Sequence, residues 1–230
     1  MLARLLGFIS LLVALPVVAA MPRPAVVELF TSEGCSSCPP ADAYLSELSQ
    51  QRSDILPLAF HVTYWNGLGW KDPFSLDIAT QRQAEYARRF GDGSYTPEMV
   101  VDGTTGFVGS DRSTGEAAIQ KAKDADSTAM PVSAVRKGNA ITVSVGAGSG
   151  SAQVILVGYD TQHVTSVGRG ENGGRTLKES NIVRSFQPIG QWMGKPVMFE
   201  AQIPAGEKTA ILLEAPDGHI VGAARVTDEP

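Results

Sequence analysis

The feature that most constrains this chain is its two cysteines, the only ones it has, spaced as C-x-x-C. Cys35 and Cys38 follow an apolar run at residues 25–30 and precede Pro39 and Pro40. The run predicts a buried strand, and prolines are tolerated in the first turn of a helix. The pair is therefore predicted to lie at a strand-to-helix junction, where this spacing has a chemical rationale.

A cysteine pair at such a junction suits thiol–disulfide exchange. The unpaired N–H groups and positive dipole end of a helix N-terminus stabilise a thiolate, which makes Cys35 the predicted attacking residue. Cys38, expected to be less exposed, is the predicted resolving thiol. Two alternatives stay open: a static disulfide, which would close too short a loop to add much stability, and a metal site, for which methionine and histidine ligands near the pair are absent.

The first twenty residues predict export. Arg4 gives a positive start, residues 5–18 are almost wholly apolar, and small residues at 18–20 suit cleavage. Pro16 and the short apolar length argue against a membrane-spanning helix. We predict a signal peptide over residues 1–20, a periplasmic or secreted protein, and no stable membrane insertion after cleavage. Disulfides persist in such a compartment.

Composition limits the partners. A net charge of -5 and a pI near 5.2 give no basic footprint for nucleic acid. The sequence contains no cofactor motif, so no cofactor and no metal are expected. Electrons must then come from another dithiol, and the expected partners are protein or small-molecule thiols and disulfides.

The order of predicted elements changes character near residue 130. Strand, helix, strand, helix, two strands and a helix come first, followed by short alternating strands separated by glycine turns. With the C-x-x-C at its first strand-to-helix junction, this order predicts an α/β thioredoxin-like domain over residues 21–130. An all-β sandwich-like domain is predicted over residues 131–230.

Two further residues are predicted beside the cysteine pair. The Thr96-Pro97 bond precedes an edge strand, where a cis peptide would face the pair; an ordinary trans turn is the alternative. Glu28 interrupts the first strand, and a buried carboxylate there would suit accepting a proton from Cys38. The alternative for Glu28 is a solvent-facing side chain at a strand edge.

Two loops are predicted to reach the same region. Residues 61–70 carry His61, Tyr64 and two tryptophans including Trp65, and together with Thr96 could accept a peptide partner by stacking. Packing of the loop against the sheet is the alternative. Residues 169–175 are predicted to form a loop folded toward the interdomain contact and bonded across it by an arginine, either Arg169 or Arg175, with a solvated hairpin end as the alternative.

Several runs resemble a known family. They are V-V-E-L-F-T-S-E-G-C-S-S-C-P-P-A-D, H-V-T-Y-W-N-G-L-G-W-K-D-P-F, R-Q-A-E-Y, Y-T-P-E-M-V-V-D-G and R-G-E-N-G-G-R-T-L-K-E-S-N-I-V-R. They are similar to the domain-of-unknown-function family twelve twenty-three, exported bacterial proteins of the thioredoxin-like superfamily. The resemblance implies that Cys35 and Cys38 form the redox pair and that Pro97 is a cis proline. It implies no established reaction.

Two functions follow from these predictions. The first is an exported thiol–disulfide oxidoreductase-like protein that acts on protein or small thiol substrates. The second is a non-enzymatic secreted binding module with a fixed disulfide. The reduction potential of the cysteine pair distinguishes them.

Overall fold

The structure is a computed structural model that describes residues 23–125 and 130–229, so the predicted signal peptide lies outside the described residues. The elements of the first half follow the predicted order of strands and helices. All elements are β1 (Ala25–Thr31), α1 (Pro39–Gln51), β2 (Ile55–His61), α2 (Asp77–Phe90), β3 (Glu98–Val101), β4 (Thr105–Val108), α3 (Arg112–Asp124), β5 (Val132–Lys137), β6 (Ala140–Val145), β7 (Ala152–Ser166), β8 (Thr176–Trp192), β9 (Val197–Gln202), β10 (Lys208–Glu214), β11 (Ile220–Arg225) and β12 (Thr227–Asp228).

One eight-stranded sheet contains strands from both halves of the chain. Its order is β11-β10-β7-β8-β2-β1-β3-β4, and a second sheet has the order β12-β5-β6-β9. β8 joins the first half through parallel pairing with β2, where Ala59 faces Ile182. Asn181, beside this pair, has a positive φ of 52° and donates from its side chain to the Pro57 carbonyl at 2.8 Å.

The fold class predicted from the sequence is wrong. The described chain is mostly β, with two mixed sheets of eight and four strands and three short helices. It is not a thioredoxin-like α/β domain followed by a β sandwich. The physical reason is the pairing of β8 with β2, because the alternating pattern of a strand reveals which face is buried and not which neighbour it pairs with. The domain boundary near residue 130 stays a prediction.

Alternation along β1 divides the core into two faces. Val26 and Phe30 pack with residues of α2, β7 and β10, and we call this side the α2 face. Val27 and Leu29 pack with α1 and α3 on the opposite side, the α1 face. A third core, which includes Trp192, lies between the two sheets. The site described below is on the α1 face.

Helix α1 begins directly after the cysteine pair. Cys38 is its N-cap and prolines occupy its first positions, as the sequence predicts. Its buried face includes Ala41, Leu45 and Leu48, which anchor it on the sheet. Within residues 23–125 and 130–229, no helix combines the length and apolar character that crossing a bilayer requires.

Candidate functional site

Cys35 and Cys38 form a disulfide at the N-terminus of α1, with a Cα–Cα distance of 5.5 Å. Both residues are fully buried, at 0% exposure. The sequence predicts a more exposed Cys35, and this asymmetry is absent. Segments distant in sequence cover the pair, so its burial could not be read from the local sequence.

Two hydroxyl groups contact the sulfur of Cys35. The Thr96 Oγ1 donates to Cys35 Sγ at 3.3 Å, and the Ser37 hydroxyl lies 3.3 Å from the same sulfur. The Trp65 indole N–H donates to Thr96 Oγ1 at 2.8 Å, which orients that hydroxyl. The Thr96–Pro97 peptide bond is cis, as predicted.

Residues 61–70, which we call the aromatic loop, contribute only part of the predicted substrate surface. Tyr64 is 42% exposed, and its hydroxyl donates to Gln83 at 3.1 Å. Trp65 is half-buried beside Thr96. His61, in contrast, is fully buried, so the structure does not place it on the surface with the other predicted binding residues.

Glu28 lies on the α2 face, the opposite side of the sheet from α1. Its carboxylate accepts from the Arg82 guanidinium at 2.5 and 3.0 Å and from the Tyr86 hydroxyl. Arg82 also donates to Glu214 at 2.6 Å. The structure therefore does not bring Glu28 to the cysteine pair, because residues of one strand alternate between faces.

A group of buried ionisable residues lies instead on the α1 face. We call it the acidic cluster; its members are Glu33, Asp42, His61, Asp72 and Glu179, all at least nine-tenths buried. His61 Nδ1 lies 2.7 Å from Asp72 Oδ2, and His61 Nε2 lies 3.9 Å from Glu179 Oε1. The backbone N–H of Glu33 donates to Asp72 at 2.9 Å. This bond links the cluster to residues 32–38 between β1 and α1, which we call the cysteine loop.

The acidic cluster is incompletely hydrogen-bonded. His61 Nε2, Glu33 Oε1 and both carboxyl oxygens of Glu179 have no hydrogen-bond partner among the described residues. Burial raises the pKa of Glu179 against the attraction of His61. Burial opposes a charge on His61, but Asp72 and Glu179 outweigh it and raise the pKa of His61 to about 10. Unsatisfied buried groups with raised pKa values are typical of functional sites.

Asp42 connects this cluster to Cys38. It follows Cys38 by four residues, a spacing that places two side chains on one helix face with Cβ atoms about 5–6 Å apart. Its carboxylate accepts from Thr31 Oγ1 at 2.7 Å. Burial raises the pKa of Asp42 from 3.8 to about 6, against this hydrogen bond. Sequence reasoning missed Asp42, although the i,i+4 spacing from Cys38 was a usable signal.

The turn between β7 and β8 covers the disulfide. We call residues 167–175 the hairpin tip. Asn172 is fully buried, and its side-chain amide donates to the carbonyl oxygens of Glu33 and Cys35, both at 2.9 Å. Glu171 accepts from the backbone N–H of Ser36 at 3.1 Å. The predicted loop therefore reaches the first half of the chain.

The residues that make this contact differ from those predicted. Arg175 donates to Asn172 Oδ1 at 2.9 Å, within the hairpin tip. It therefore supports the hydrogen bonds that Asn172 makes to the cysteine loop and does not itself cross to the first half. Close backbone contact explains two glycines. Gly69 and Gly170 have positive φ values of 104° and 77°, and a Cβ on Gly69 would lie 3.2 Å from the Gly170 Cα.

No cluster of three or more histidine, cysteine, aspartate or glutamate residues with a geometry that could hold a metal ion occurs among residues 23–125 and 130–229. Around the disulfide, the available groups are hydroxyl donors, one buried carboxyl group on α1, and the hairpin tip.

Comparison with known proteins gives the family. The model for the family "Protein of unknown function (DUF1223)" matches residues 26–214. The chain belongs to DUF1223. The DUF1223 match spans the disulfide, the acidic cluster and the hairpin tip. No curated protein matches the chain.

Two solved structures are similar to this DUF1223 protein. One is a crystal structure of an Agrobacterium tumefaciens protein, with 31% identity, a TM-score of 0.76, and coverage of 90% of this chain and 95% of that chain. The other is HBP35 of Porphyromonas gingivalis, with 12% identity, a TM-score of 0.57, and coverage of 89% and 74% respectively. The second likeness concerns the fold alone.

Proposed function

We propose that this protein exchanges disulfides with protein or small-molecule thiols through Cys35 and Cys38. The observation that carries the proposal is the disulfide at the N-terminus of α1 with the hydroxyl groups of Thr96 and Ser37 against one sulfur. Hydroxyl donors and the helix dipole both favour a thiolate, the species that attacks and departs in exchange.

The exchange runs in two steps, written here with the protein as oxidant. A partner thiolate attacks Sγ of Cys35, a mixed disulfide forms, and the Cys35–Cys38 bond breaks with its electron pair on Cys38. The partner's second thiolate then attacks the partner's own sulfur, forming the partner's disulfide and releasing Cys35 as a thiolate. Two electrons pass from the partner dithiol to the cysteine pair, and the reverse reaction follows the same steps.

Asp42 is the proposed proton carrier for Cys38. A buried sulfur such as Cys38 is poorly placed to hold a negative charge, so its thiolate needs a nearby proton. Asp42 lies one helical turn away, and its pKa of about 6 lets it gain and lose a proton near neutral pH. Two further groups of the acidic cluster, His61 and Glu179, have raised pKa values and can also hold protons at neutral pH.

Export is part of the same proposal. The pattern of residues 1–20 supports it, and a disulfide is stable in the periplasm or outside the cell. In that compartment the partners would be exported proteins or small molecules that carry thiols or disulfides.

A second candidate function is a secreted binding module with a fixed disulfide. The observations that favour it are the full burial of both cysteines and the hydrogen bonds from Asn172 to the carbonyl oxygens of Glu33 and Cys35. A bridge enclosed in this way would be hard for a partner thiolate to reach.

The reduction potential separates the two candidates. Titration against glutathione and dithiothreitol redox buffers should give a value between about -270 and -120 mV if the pair exchanges disulfides. A value below about -300 mV would favour the fixed bridge. The Cys38→Ala variant, added to an extract of exported proteins, should trap partners as mixed disulfides on Cys35, and the Cys35→Ala variant is the matched control.

A further inference from the structure

Glu171 is the one carboxylate that the hairpin tip presents to the cysteine loop. Its Oε2 accepts from the backbone N–H of Ser36, the residue next to Cys35. Hydrogen bonds from Ser36, through its hydroxyl and its backbone N–H, lower the pKa of Glu171. The side chain therefore carries a full negative charge at neutral pH.

The tip holds this charge in place. Asn172, the next residue, donates to the carbonyl oxygens of Glu33 and Cys35 and accepts a hydrogen bond from Arg175. Backbone hydrogen bonds within the tip join Gly173 to Gly170, Gly174 to Val167 and Arg175 to Asn172. These contacts fix the backbone at Glu171, and the hydrogen bond from the Ser36 N–H places its exposed carboxylate.

A fixed carboxylate at this point acts against a thiolate on Cys35. Standard bond lengths put the carboxylate within roughly 8 Å of Cys35 Sγ, inside the Debye length of about 10 Å at 0.1 M salt. The same carboxylate occupies the N–H of Ser36, an amide that a thiolate could otherwise use. Both effects disfavour the reduced, ionised pair and leave the neutral disulfide unaffected.

We propose that Glu171 is a positioning residue that opposes thiolate formation at Cys35 and so sets the reduction potential of the cysteine pair. The inference rests on the proposed exchange function and deepens it. The second half of the chain then controls the chemistry of a site formed by the first half. A partner that moved the hairpin tip would remove the charge and make the pair more oxidising.

The Glu171→Gln variant tests this charge directly, since glutamine keeps the size and one acceptor oxygen. Removing the charge should raise the acid dissociation constant of the Cys35 thiol by about three- to tenfold. Glu171→Lys should give a larger change in the same direction. Glu200→Gln is the matched control, because Glu200 is exposed in β9 of the other sheet.

Redox titration over a range of pH distinguishes charge from structure. At a pH well below the pKa of the Cys35 thiol, which thiolate absorbance locates, the thiol is protonated in both proteins, so their potentials should coincide. At about pH 9 Glu171→Gln should be more oxidising by the full change in the dissociation constant, where tenfold corresponds to about 30 mV. Asn172→Ala loosens the tip and so moves the Glu171 charge away, and it should also act more strongly at the higher pH. In the Glu171→Gln background the same substitution should shift the potential equally at both pH values.

Other ionisable groups near the pair are common to all variants and cancel in these differences. They are Glu33, Asp42, His61, Asp72 and Glu179 of the acidic cluster, Lys71 in the aromatic loop, Tyr95 and Glu98 beside the cis bond, and Arg169 and Arg175 on the tip. A Glu171→Gln difference that is zero, or the same at both pH values, would overturn the inference.

The two proposals can fail separately. Thiolate absorbance in protein reduced with a phosphine reports the ionisation of Cys35 whether or not the protein exchanges disulfides. A normal response to Glu171→Gln with a potential below about -300 mV would reject the exchange function and keep the charge effect. Exchange activity without a response of Cys35 ionisation to Glu171→Gln would reject the charge effect and keep the exchange function.

Discussion

Two buried polar groups lie on opposite faces of the same sheet and differ in how well they are satisfied. On the α2 face, Glu28 and Glu214 are matched by Arg82, with Tyr86 completing the hydrogen bonds. On the α1 face, four carboxyl groups surround one histidine, and several atoms have no partner among the described residues.

The difference bears on which of the two groups can change its charge. We call a buried group compensated when each of its charges has an oppositely charged partner. Such a group stays ionised, because losing either partner leaves the other charge in an apolar environment without a counter-charge. A group with unpaired atoms and carboxyl pKa values raised toward neutrality can change its protonation state near neutral pH. The acidic cluster, beside the disulfide, is of the second kind, and the α2-face group is of the first.

The largest expected effect comes from breaking the compensated group. Arg82→Met leaves Glu28 buried without a counter-charge and should lower the free energy of unfolding by about 3–5 kcal/mol. Urea denaturation at neutral pH measures it. Arg88→Met, on the exposed side of α2, should stay within about 0.5 kcal/mol. Equal losses in the two variants would show that the pairing is not what matters.

A smaller effect, of opposite sign, is expected in the acidic cluster. Asp42 binds its proton more tightly in the native state, with a pKa of about 6, than in the unfolded chain at 3.8, so ionising it costs stability as pH rises through that interval. Asp42→Asn should therefore raise the unfolding free energy by up to about 3 kcal/mol at pH 8. The gain should fall to about 0.5 kcal/mol near pH 4, where Asp42 is almost fully protonated in the native state and partly protonated in the unfolded chain.

Urea denaturation of Asp42→Asn at these two pH values measures the gain. The matching substitution on the other face, Glu28→Gln, should instead destabilise the protein at pH 8. A stabilised Glu28→Gln variant would mean that both groups are strained alike. A destabilised Asp42→Asn variant at pH 8 would place Asp42 in the compensated class and remove its proposed role.

The smallest effect concerns the hydrogen bond between the end of β1 and α1. Thr31→Val keeps the shape of the side chain but removes the donor to Asp42. The loss should be about 1–2 kcal/mol at pH 8 and less near pH 4, since bonds to charged acceptors are the stronger ones. In the Asp42→Asn background the loss caused by Thr31→Val should no longer depend on pH. A pH dependence that persists there would arise from another ionisable group.

Local features could be predicted from the sequence and distant pairings could not. The disulfide and the prolines that open α1 each follow from a few adjacent residues, and the cis bond before Pro97 follows from its place in the element order together with the upstream C-x-x-C. Glu28 was assigned to the wrong neighbours because its partner Arg82 is 54 positions away. Asn172, which holds the cysteine loop from 137 positions away, carries no signal in a single sequence beyond its glycine-rich surroundings.

The wrong fold class has the same origin. The strands beyond residue 130 are recognisable as strands from the sequence, but that pattern fits a separate sandwich as well as an extension of the first sheet. The pairing of Ala59 with Ile182 decides between them, and it depends on the left-handed turn at Asn181 and its bond to Pro57. Propensity scales do not contain that information.

The long sequence separation between the cysteine loop and the hairpin tip also orders events during biosynthesis. Ser36 and Glu171 are 135 residues apart, and at about 5–20 residues per second the ribosome needs on the order of 10 s to make that stretch. The cysteines are complete throughout this interval, while the segment that will bury them does not yet exist. Until residues 167–175 have been made and folded, this segment cannot cover the cysteine pair, so an unfinished or newly exported chain presents a more open site to an oxidant than the folded protein does.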